Sequence, residues 1–308
     1  MLLVIVALLP AMGASIYFFG IRALQIEVIA VISALLTEGV ILKLRGKPVV
    51  LKDGSAAVAG LLLAFNLPPG VPLWLPGVGA AVGIAVGKQL FGGLGNNIFN
   101  PALIGRTFVM HSWLTRMTTW TPPHTPLYEG VDALTYATPL GAAKEAVSAW
   151  LPSRVGLEAI ITGNIGGCIG ETSVLALCAG GIFLLIFRVI RWEAPAAFIG
   201  TVAVLTWILP PQSGSIGLSP LEHIFSGGLI LGAFFMATDP VTTPLSGKGM
   251  FIFGAGCGLL TAVIRLYGGF PEGVCYSILI MNAFTPLIDK VTLPRVFGMR
   301  PRSLAGKN

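Results

Sequence analysis

Long apolar runs dominate this sequence, and they recur along the whole chain with only short polar segments between them. Hydrophobic residues make up 55% and charged residues 10% of the 308 residues, whereas a soluble domain carries about 25% charged residues. So few charges cannot cover the surface of a water-soluble globule of this size. The composition therefore excludes an ordinary cytosolic enzyme, a nucleic-acid-binding protein and a disordered chain. We expect an all-α integral membrane protein that contacts membrane lipids.

About ten apolar segments are candidates for membrane-spanning helices, since a span needs about 20 apolar residues. The candidates of suitable length are residues 2–19, 21–42, 72–91, 97–113, 172–189, 193–209, 220–237, 249–267 and 272–288. A further segment, residues 54–67, is too short to span and runs into Asn66-Leu67-Pro68-Pro69. It predicts a broken helix, whose freed backbone groups must contact protein or line a cavity.

The distribution of lysine and arginine predicts the orientation of these helices. Basic clusters follow the second, sixth and last spans: Lys43, Arg45, Lys47 and Lys52; Arg188 and Arg191; and Lys290, Arg295, Arg300, Arg302 and Lys307. Ten spans place all these clusters and both termini on one side, which the positive-inside rule makes cytoplasmic. Residues 290–308 then form a basic cytoplasmic tail. Residues 114–171 form an exposed, outward-facing loop that could include a re-entrant or interfacial piece.

The two halves of the chain contain similar sequence motifs in the same order. Gly60 precedes Pro68 by eight positions, as Gly232 precedes Pro240. The further matches are Leu90-Phe91-Gly92-Gly93 with Leu266-Tyr267-Gly268-Gly269, and Phe99-Asn100-Pro101 with Phe284-Thr285-Pro286. Because equivalent spans start on opposite sides, we predict two inverted five-helix repeats, residues 1–113 and 172–289. Such repeats form a binding site near the membrane midplane, where the halves meet. Chance similarity between glycine-rich spans is the alternative.

Ionisable residues inside apolar spans are candidates for function, because burying each one in hydrocarbon costs at least about 2.5–3.5 kcal/mol. Glu27, Glu38 and Arg106 lie inside spans, and Lys88 and Asp239 lie at their ends. Lys88 could instead extend to the cytoplasmic edge of the membrane. Arg106 could pair structurally with a carboxylate or with the turn at Asn96 and Asn97. The four cysteines are scattered and the three histidines lack ligand spacing, so we predict no metal site.

A polar segment, residues 132–140, lies in the predicted outer loop. A proline at the first helical position with a threonine before it is common at helix starts, so Thr138 and Pro139 predict a helix beginning there. That interpretation leaves the acidic Asp132 and the Thr-x-Ala-Thr spacing of residues 135–138 unexplained. A helix N-terminus also favours a phosphate group, which makes a phosphate ester on Thr138 electrostatically reasonable.

This segment resembles the Asp-x-x-(Ser/Thr)-x-Ala-Thr signature at which a flavin transferase joins FMN, through its phosphate, to the last threonine. The signature positions are held by Asp132, Thr135, Ala137 and Thr138. Further stretches that resemble the same family are residues 60–69, 91–102, 163–164 with 170–173, and 236–242. The family comprises the flavin-bearing membrane proteins that serve as the D subunit of the Rnf electron-transport complex and as the B subunit of the sodium-pumping NADH:quinone oxidoreductase. The short N-terminal segment favours the Rnf type.

The resemblance implies a one-electron relay in a translocase complex, with no catalysis by this chain alone. FMN on Thr138 would take electrons from a flavin on an outward-facing partner protein, and a noncovalent riboflavin in the helical bundle would pass them inward. The implied partners are the other membrane and peripheral subunits of an ion-translocating ferredoxin:NAD⁺ oxidoreductase and a flavin transferase. The implied location is the bacterial cytoplasmic (inner) membrane, with both termini in the cytoplasm. The alternatives are a quinone-reducing component of a sodium-pumping NADH:quinone oxidoreductase and a non-redox small-solute channel or transporter.

The two proline-broken segments, which contain Asn66 and Asp239, are the predicted place for the second flavin or for an ion path. A flavin ring is flat and amphipathic and accepts the backbone hydrogen bonds that a broken helix offers. A buried carboxylate near a reducible flavin could couple electron arrival to cation uptake by charge compensation. Alternatively, Asp239 only caps the following turn at the cytoplasmic edge.

Overall fold

The structure, a computed structural model, describes residues 1–49, 53–124, 138, 140, 157–163, 165–171, 173–209, 218–268 and 273–293. These residues form helices and loops and include no strand, which confirms the all-α prediction. In chain order the helices are α1 (Leu2–Phe19), α2 (Ile21–Leu44), α3 (Ser55–Phe65), α4 (Trp74–Val82), α5 (Pro101–Ser112), α6 (Leu114–Met117), α7 (Leu157–Thr162), α8 (Val174–Ile186), α9 (Glu193–Ile208), α10 (Pro220–Phe225), α11 (Leu229–Leu231), α12 (Gly247–Tyr267) and α13 (Val274–Thr292). Two of them continue directly as π-helices, α4 over Gly83–Gln89 and α11 over Gly232–Met236.

Capping residues decide where several helices begin. Asn100 accepts a hydrogen bond from the Ala102 N–H at 3.0 Å, and Pro101 occupies the first helical position. The Oγ atom of Ser246 accepts one from the Gly249 N–H, also at 3.0 Å. Because these side chains satisfy amides that the first helical turn leaves free, α5 begins at Pro101 rather than near residue 97, where the apolar run begins.

The outward faces of the long helices are apolar. The described helices that are long and apolar enough to cross a membrane are α1, α2, α12 and α13, while α3, α8 and α9 are apolar but shorter. Their exposed large side chains include Val6, Leu9, Ile32, Leu36, Val40, Leu175, Ile182, Val204, Leu259, Val263 and Leu287. A continuous apolar surface of this kind needs lipid or protein around it. The chain is therefore a membrane protein.

Two helix pairs join the first half of the chain to the second. α1 packs on α8, and α5 packs on α13. The first contact is so close that a Cβ atom on Gly180 would lie 2.1 Å from the carbonyl oxygen of Ala7. Within the halves, α2 packs on α3 and α4, and α9 packs on α12. A Cβ atom on Gly60 would likewise lie 2.8 Å from the Ala30 carbonyl oxygen, between α3 and α2. Small residues thus let the backbones of neighbouring helices approach closely.

Two apolar segments are interrupted in the structure. α3 ends at Phe65, as the short segment before Pro68 led us to expect. The prediction of one continuous span over residues 220–237 is wrong, because the helix stops after α10 and resumes at α11. Gly227 and Gly228 lie between them with φ angles of 65° and 66°. Two consecutive residues in the left-handed region interrupt a right-handed helix, and glycine adopts that region without steric cost.

Candidate functional site

A cavity of about 150 Å³ lies between the two halves of the chain, at the end of the helical bundle where α1 begins. Its apolar wall includes Val4, Val58, Leu62, Leu184, Phe234 and Phe235. Its polar lining consists of Ser55, Lys88, Asn97, Asn100, Thr238 and Asp239. A largely apolar concavity with a few convergent polar groups is the usual form of a small-molecule binding site. This cavity is therefore the candidate functional site. It lies where the segment around Asp239 meets the first half of the chain.

Lys88, in the π-helix after α4, is held beside the cavity by a buried ion pair. Its Nζ atom lies 2.6 Å from Glu38 Oε1 and donates to Ser55 Oγ at 2.6 Å. The Lys88 and Glu38 side chains are 2% and 4% exposed, and Gln89 Nε2 donates to the same Glu38 oxygen at 2.9 Å. The alternative that Lys88 extends to the membrane edge is therefore wrong, because a carboxylate neutralises its charge inside the protein.

The sequence indicates Glu38 and Lys88 separately as buried charges and does not predict that they form an ion pair. Their contact depends on α2 packing against the π-helix after α4, which no local pattern indicates. Ser55 was not predicted at all. It belongs to the first turn of α3, where Asp53 accepts hydrogen bonds from its N–H at 3.2 Å and its hydroxyl at 2.8 Å. The only sequence signal for this network was the presence of opposite charges in two apolar runs.

Asp239 follows the π-helix after α11 and lies in the cavity wall. Its Oδ1 atom accepts a hydrogen bond from the Val241 N–H at 3.3 Å, and its Oδ2 accepts one from the Thr242 hydroxyl at 3.5 Å. The carboxylate thus makes the turn contacts expected of a cap and also faces the cavity. Lys88 belongs to the same lining, so one acidic and one basic side chain border the cavity.

Asn66, at the broken end of α3, does not line this cavity. Its Oδ1 accepts a hydrogen bond from Arg106 Nη1 at 2.5 Å, and its Nδ2 donates to the Leu62 carbonyl at 2.7 Å. The same Nδ2 lies 3.7 Å from the sulfur of Met236, the last residue of the second π-helix. Asn66 thus contacts the segment that precedes Asp239, but Asn66 and Asp239 have separate surroundings. Asn66 is a partner of Arg106 that sequence analysis did not foresee.

A buried loop, residues 165–171, covers the broken end of α3. The Ile169 N–H donates to the Leu67 carbonyl at 3.0 Å, and the Gly170 N–H donates to the Phe65 carbonyl at 2.9 Å. A Cβ atom on Gly170 would lie 2.3 Å from Phe65 Cβ, so the close approach requires glycine. These hydrogen bonds satisfy carbonyls that the helix break leaves free. The loop belongs to residues 114–171, which we expected could include a re-entrant or interfacial piece.

Thr138 is the one residue of the flavin-attachment signature that the structure describes; Asp132, Thr135 and Ala137 lie outside the described residues. Thr138 is 7% exposed, and Leu140, which is helical, is 4% exposed. The expectation that residues 114–171 are exposed is therefore wrong for Thr138. Leu140 lies against a neighbouring turn, where a Cβ atom on Gly227 would lie 2.4 Å from Leu140 Cδ1.

Comparison with known proteins gives a consistent result over nearly the whole chain. Residues 1–298 match the model of the NQR2, RnfD, RnfE family. A relative from Clostridium ljungdahlii, named as the D subunit of a proton-translocating ferredoxin:NAD(+) oxidoreductase complex, is 47% identical over 96% of this chain and 90% of its own. The D subunit of the Na(+)-translocating counterpart from Acetobacterium woodii is 46% identical over 96% of this chain and 89% of its own. The D subunit of the ion-translocating oxidoreductase complex of Escherichia fergusonii is 38% identical over 97% and 94% of the two chains.

Proposed function

Because the chain belongs to the NQR2, RnfD, RnfE family, we propose that it is the D subunit of an ion-translocating ferredoxin:NAD⁺ oxidoreductase complex. The observation that carries this proposal is the identity of 47% and 46%, over 96% of the chain, to two proteins with that name. In this role the chain is an electron-carrying component of a translocase. It works with other membrane and peripheral subunits in the bacterial cytoplasmic membrane and has no catalytic activity alone.

Purification of the complex through a tag on this chain tests the proposal. We expect the purified complex to reduce NAD⁺ with reduced ferredoxin, and membranes from cells that lack the chain to lose that activity. A complex that reduces quinone but not NAD⁺ would contradict the proposal and support the quinone-reductase alternative. A chain that purifies without other subunits and without flavin would support a solute channel or transporter.

Thr138 carries FMN in this proposal, joined through the flavin phosphate. The match of residues 132–138 to the attachment signature supports this role. In the attachment step the Thr138 oxygen bonds to the flavin-side phosphorus of a flavin dinucleotide. The phosphoanhydride bond breaks, a nucleoside monophosphate leaves and the hydroxyl proton passes to solvent. No electron is gained or lost, and a transferase supplies the catalysis.

The second flavin, a noncovalent riboflavin, binds where the two halves meet. The cavity there, of about 150 Å³, is too small for the whole molecule, so the described lining can hold only part of it. Phe234 and Phe235 offer apolar contact to a flat ring. The amides of Asn97 and Asn100 and the ammonium group of Lys88 offer hydrogen bonds to ring carbonyls and ribityl hydroxyls. A bound flavin would supply one-electron transfer. The chain's own residues would orient the ring and keep water away from it.

Asp239 contributes a carboxylate to the same cavity. When an electron arrives at the flavin, this carboxylate can bind a cation that compensates the added negative charge. Lys88 is already paired with Glu38 at 2.6 Å. Among the described lining residues, Asp239 supplies the carboxylate that a cation from solution can neutralise. Relatives named for proton and for Na(+) translocation are almost equally similar to this chain. The coupling ion must therefore be identified by transport measurements with each ion.

The helices form two inverted five-helix repeats, about ten spans in all, with both termini in the cytoplasm. The packing pattern supports this arrangement. In the first half α2 contacts α3 and α4, and α4 contacts α5; in the second half α9 contacts α10 and α12, and α12 contacts α13. The pairs that join the halves, α1 with α8 and α5 with α13, unite the first helix of each half and the last helix of each half. A two-fold axis between the repeats would produce such pairs. In this orientation Thr138 lies on the outer side of the membrane, where an FMN-bearing partner would dock.

A further inference from the structure

Glu27 is a buried carboxyl group inside α2, away from the cavity between the halves. α2 is one of the helices that are long and apolar enough to cross a membrane. The cavity lies at the end of the bundle where α1 begins, whereas Glu27 lies near the opposite end, where α1 ends and α2 begins. The residue is 1% exposed, so water and lipid hardly contact it. A negative charge at such a position would be costly.

The helices around Glu27 offer it no counter-charge. α1, α3 and α4 pack on α2 and contain no charged residue, and Tyr17 of α1 is their only titratable side chain. The Oε2 atom of Glu27 is buried and has no hydrogen-bond partner among the described residues. A carboxyl group in these surroundings is more stable as the neutral acid than as the carboxylate.

The charged groups nearest to this part of α2 are engaged elsewhere. Arg22 donates to the Val71 carbonyl at 3.1 Å. Lys88, in the π-helix that packs on α2, lies 2.6 Å from Glu38, and Glu38 is about 16 Å further along the helix than Glu27. The other titratable groups are Lys43 in the last turn of α2 and His124, whose ring contacts Tyr17 and Phe18 at the end of α1.

The contacts of Ser15, on α1, indicate that Glu27 holds a proton. The Ser15 Oγ atom lies 2.6 Å from Glu27 Oε1 and 2.7 Å from the Met12 carbonyl oxygen. A hydroxyl group has one proton to donate, and a carbonyl oxygen can only accept. If the Ser15 proton lies toward Met12, the proton in the contact with Glu27 must come from Glu27. An ionised Glu27 would leave one of the two contacts without a proton and its own charge uncompensated.

We propose that Glu27 is a proton-binding site inside a membrane-spanning helix. Its carboxylic acid donates a hydrogen bond to Ser15 Oγ, and the Ser15 hydroxyl donates in turn to the Met12 carbonyl. The ligand is one proton: the group is neutral with the proton bound and becomes a carboxylate when the proton passes to water, with no electron gained or lost. The site is separate from Asp239 and involves neither flavin, so its test does not depend on the proposed function.

Infrared spectroscopy of the purified complex at neutral pH tests the protonation state. A protonated carboxyl group has a C=O stretching band that is separate from the carboxylate bands and shifts in heavy water. We expect such a band in the unmodified protein and its loss in Glu27→Gln. Glu193→Gln is the control, because Glu193 pairs with Arg191 at 2.5 Å; it should remove carboxylate absorption and keep the band. Loss of carboxylate absorption, with the carboxyl band unchanged, in Glu27→Gln would overturn the proposal.

Ser15→Ala tests the hydrogen bond without changing the carboxyl group. The carboxyl band should remain but move, because the acid loses the oxygen to which it donates. A band that keeps its position in Ser15→Ala would overturn the assigned hydrogen bond.

The unfolding midpoint in detergent micelles gives a readout that needs no spectrum. Glutamine has nearly the shape of a protonated glutamate and its amide can donate to Ser15, so Glu27→Gln should leave the midpoint unchanged. Glu38→Gln should lower it, because that change leaves Lys88 without its counter-charge. A fall in Glu27→Gln as large as that in Glu38→Gln, or failure of Glu27→Gln to fold, would mean that the native group is ionised and would overturn the proposal.

Discussion

Removal of one member of the buried Glu38–Lys88 pair should destabilise the chain far more than removal of both. In Glu38→Gln, the Lys88 ammonium keeps Ser55 at 2.6 Å but loses its counter-charge. In Lys88→Met, the Glu38 carboxylate keeps the Gln89 amide at 2.9 Å and loses the cation. Because the two side chains are 2% and 4% exposed, bulk water hydrates the remaining group poorly. We therefore expect each single variant to lose about 3–5 kcal/mol of stability.

The assay is the free energy of unfolding of the two single variants and the double variant, measured in the same detergent micelles as the unmodified chain. The double variant Glu38→Gln/Lys88→Met buries no unpaired charge, so its loss should be smaller than either single loss. Arg191 and Glu193 form a more exposed pair, with side chains 50% and 17% exposed. Arg191→Met should change the stability by about 1 kcal/mol or less. Additive single losses, or losses as small as that of Arg191→Met, would refute the reasoning.

Further predictions concern packing, coupling and orientation. Gly180→Ala should lower stability by about 1–3 kcal/mol in thermal unfolding, because its Cβ atom would lie 2.1 Å from the Ala7 carbonyl oxygen. Gly200→Ala is the control and should not lower stability, because no atom lies within 4 Å of the added Cβ. Asp239→Asn keeps the turn but removes the charge, so it should reduce ion transport per electron in proteoliposomes; unaltered pumping would leave only the capping role. A cysteine placed at Glu129 should react with an impermeant thiol reagent in intact cells and one at Ser303 should not, whereas the reverse pattern would overturn the orientation.

Much of the helical framework follows from local sequence. The apolar run of about residues 2–19 predicts α1, and the short segment before Pro68 predicts the break at the end of α3. Both features depend on hydrophobic length and on proline, which act over a few neighbouring residues. The break at Gly227 and Gly228 was not predicted, because neither hydrophobic length nor a proline marks it. Glycines are common in membrane helices, and only tertiary contacts with Leu140 and Arg265 show that this pair must adopt positive φ.

Less of the candidate site could be predicted from the sequence, because its contacts join distant parts of the chain. Asp239 was predicted and lies in the cavity wall. The ion pair of Lys88 and the hydrogen bonds of Arg106 to Asn66 and Cys168 depend on helix packing that no local pattern encodes. Thr138 shows the same limit, since its signature describes what a transferase recognises and does not report that the residue is buried.

The intact mass of the chain, purified from cells that contain the flavin transferase, shows whether Thr138 carries the flavin. We predict a mass increase equal to one FMN less one water in the unmodified chain, and no increase in Thr138→Ala. Thr135→Ala should keep at least part of the increase, because Thr135 is an upstream position of the signature. An unmodified chain without added mass, or a Thr138→Ala chain that retains it, would contradict the claim that this protein carries electrons on a flavin bound to Thr138.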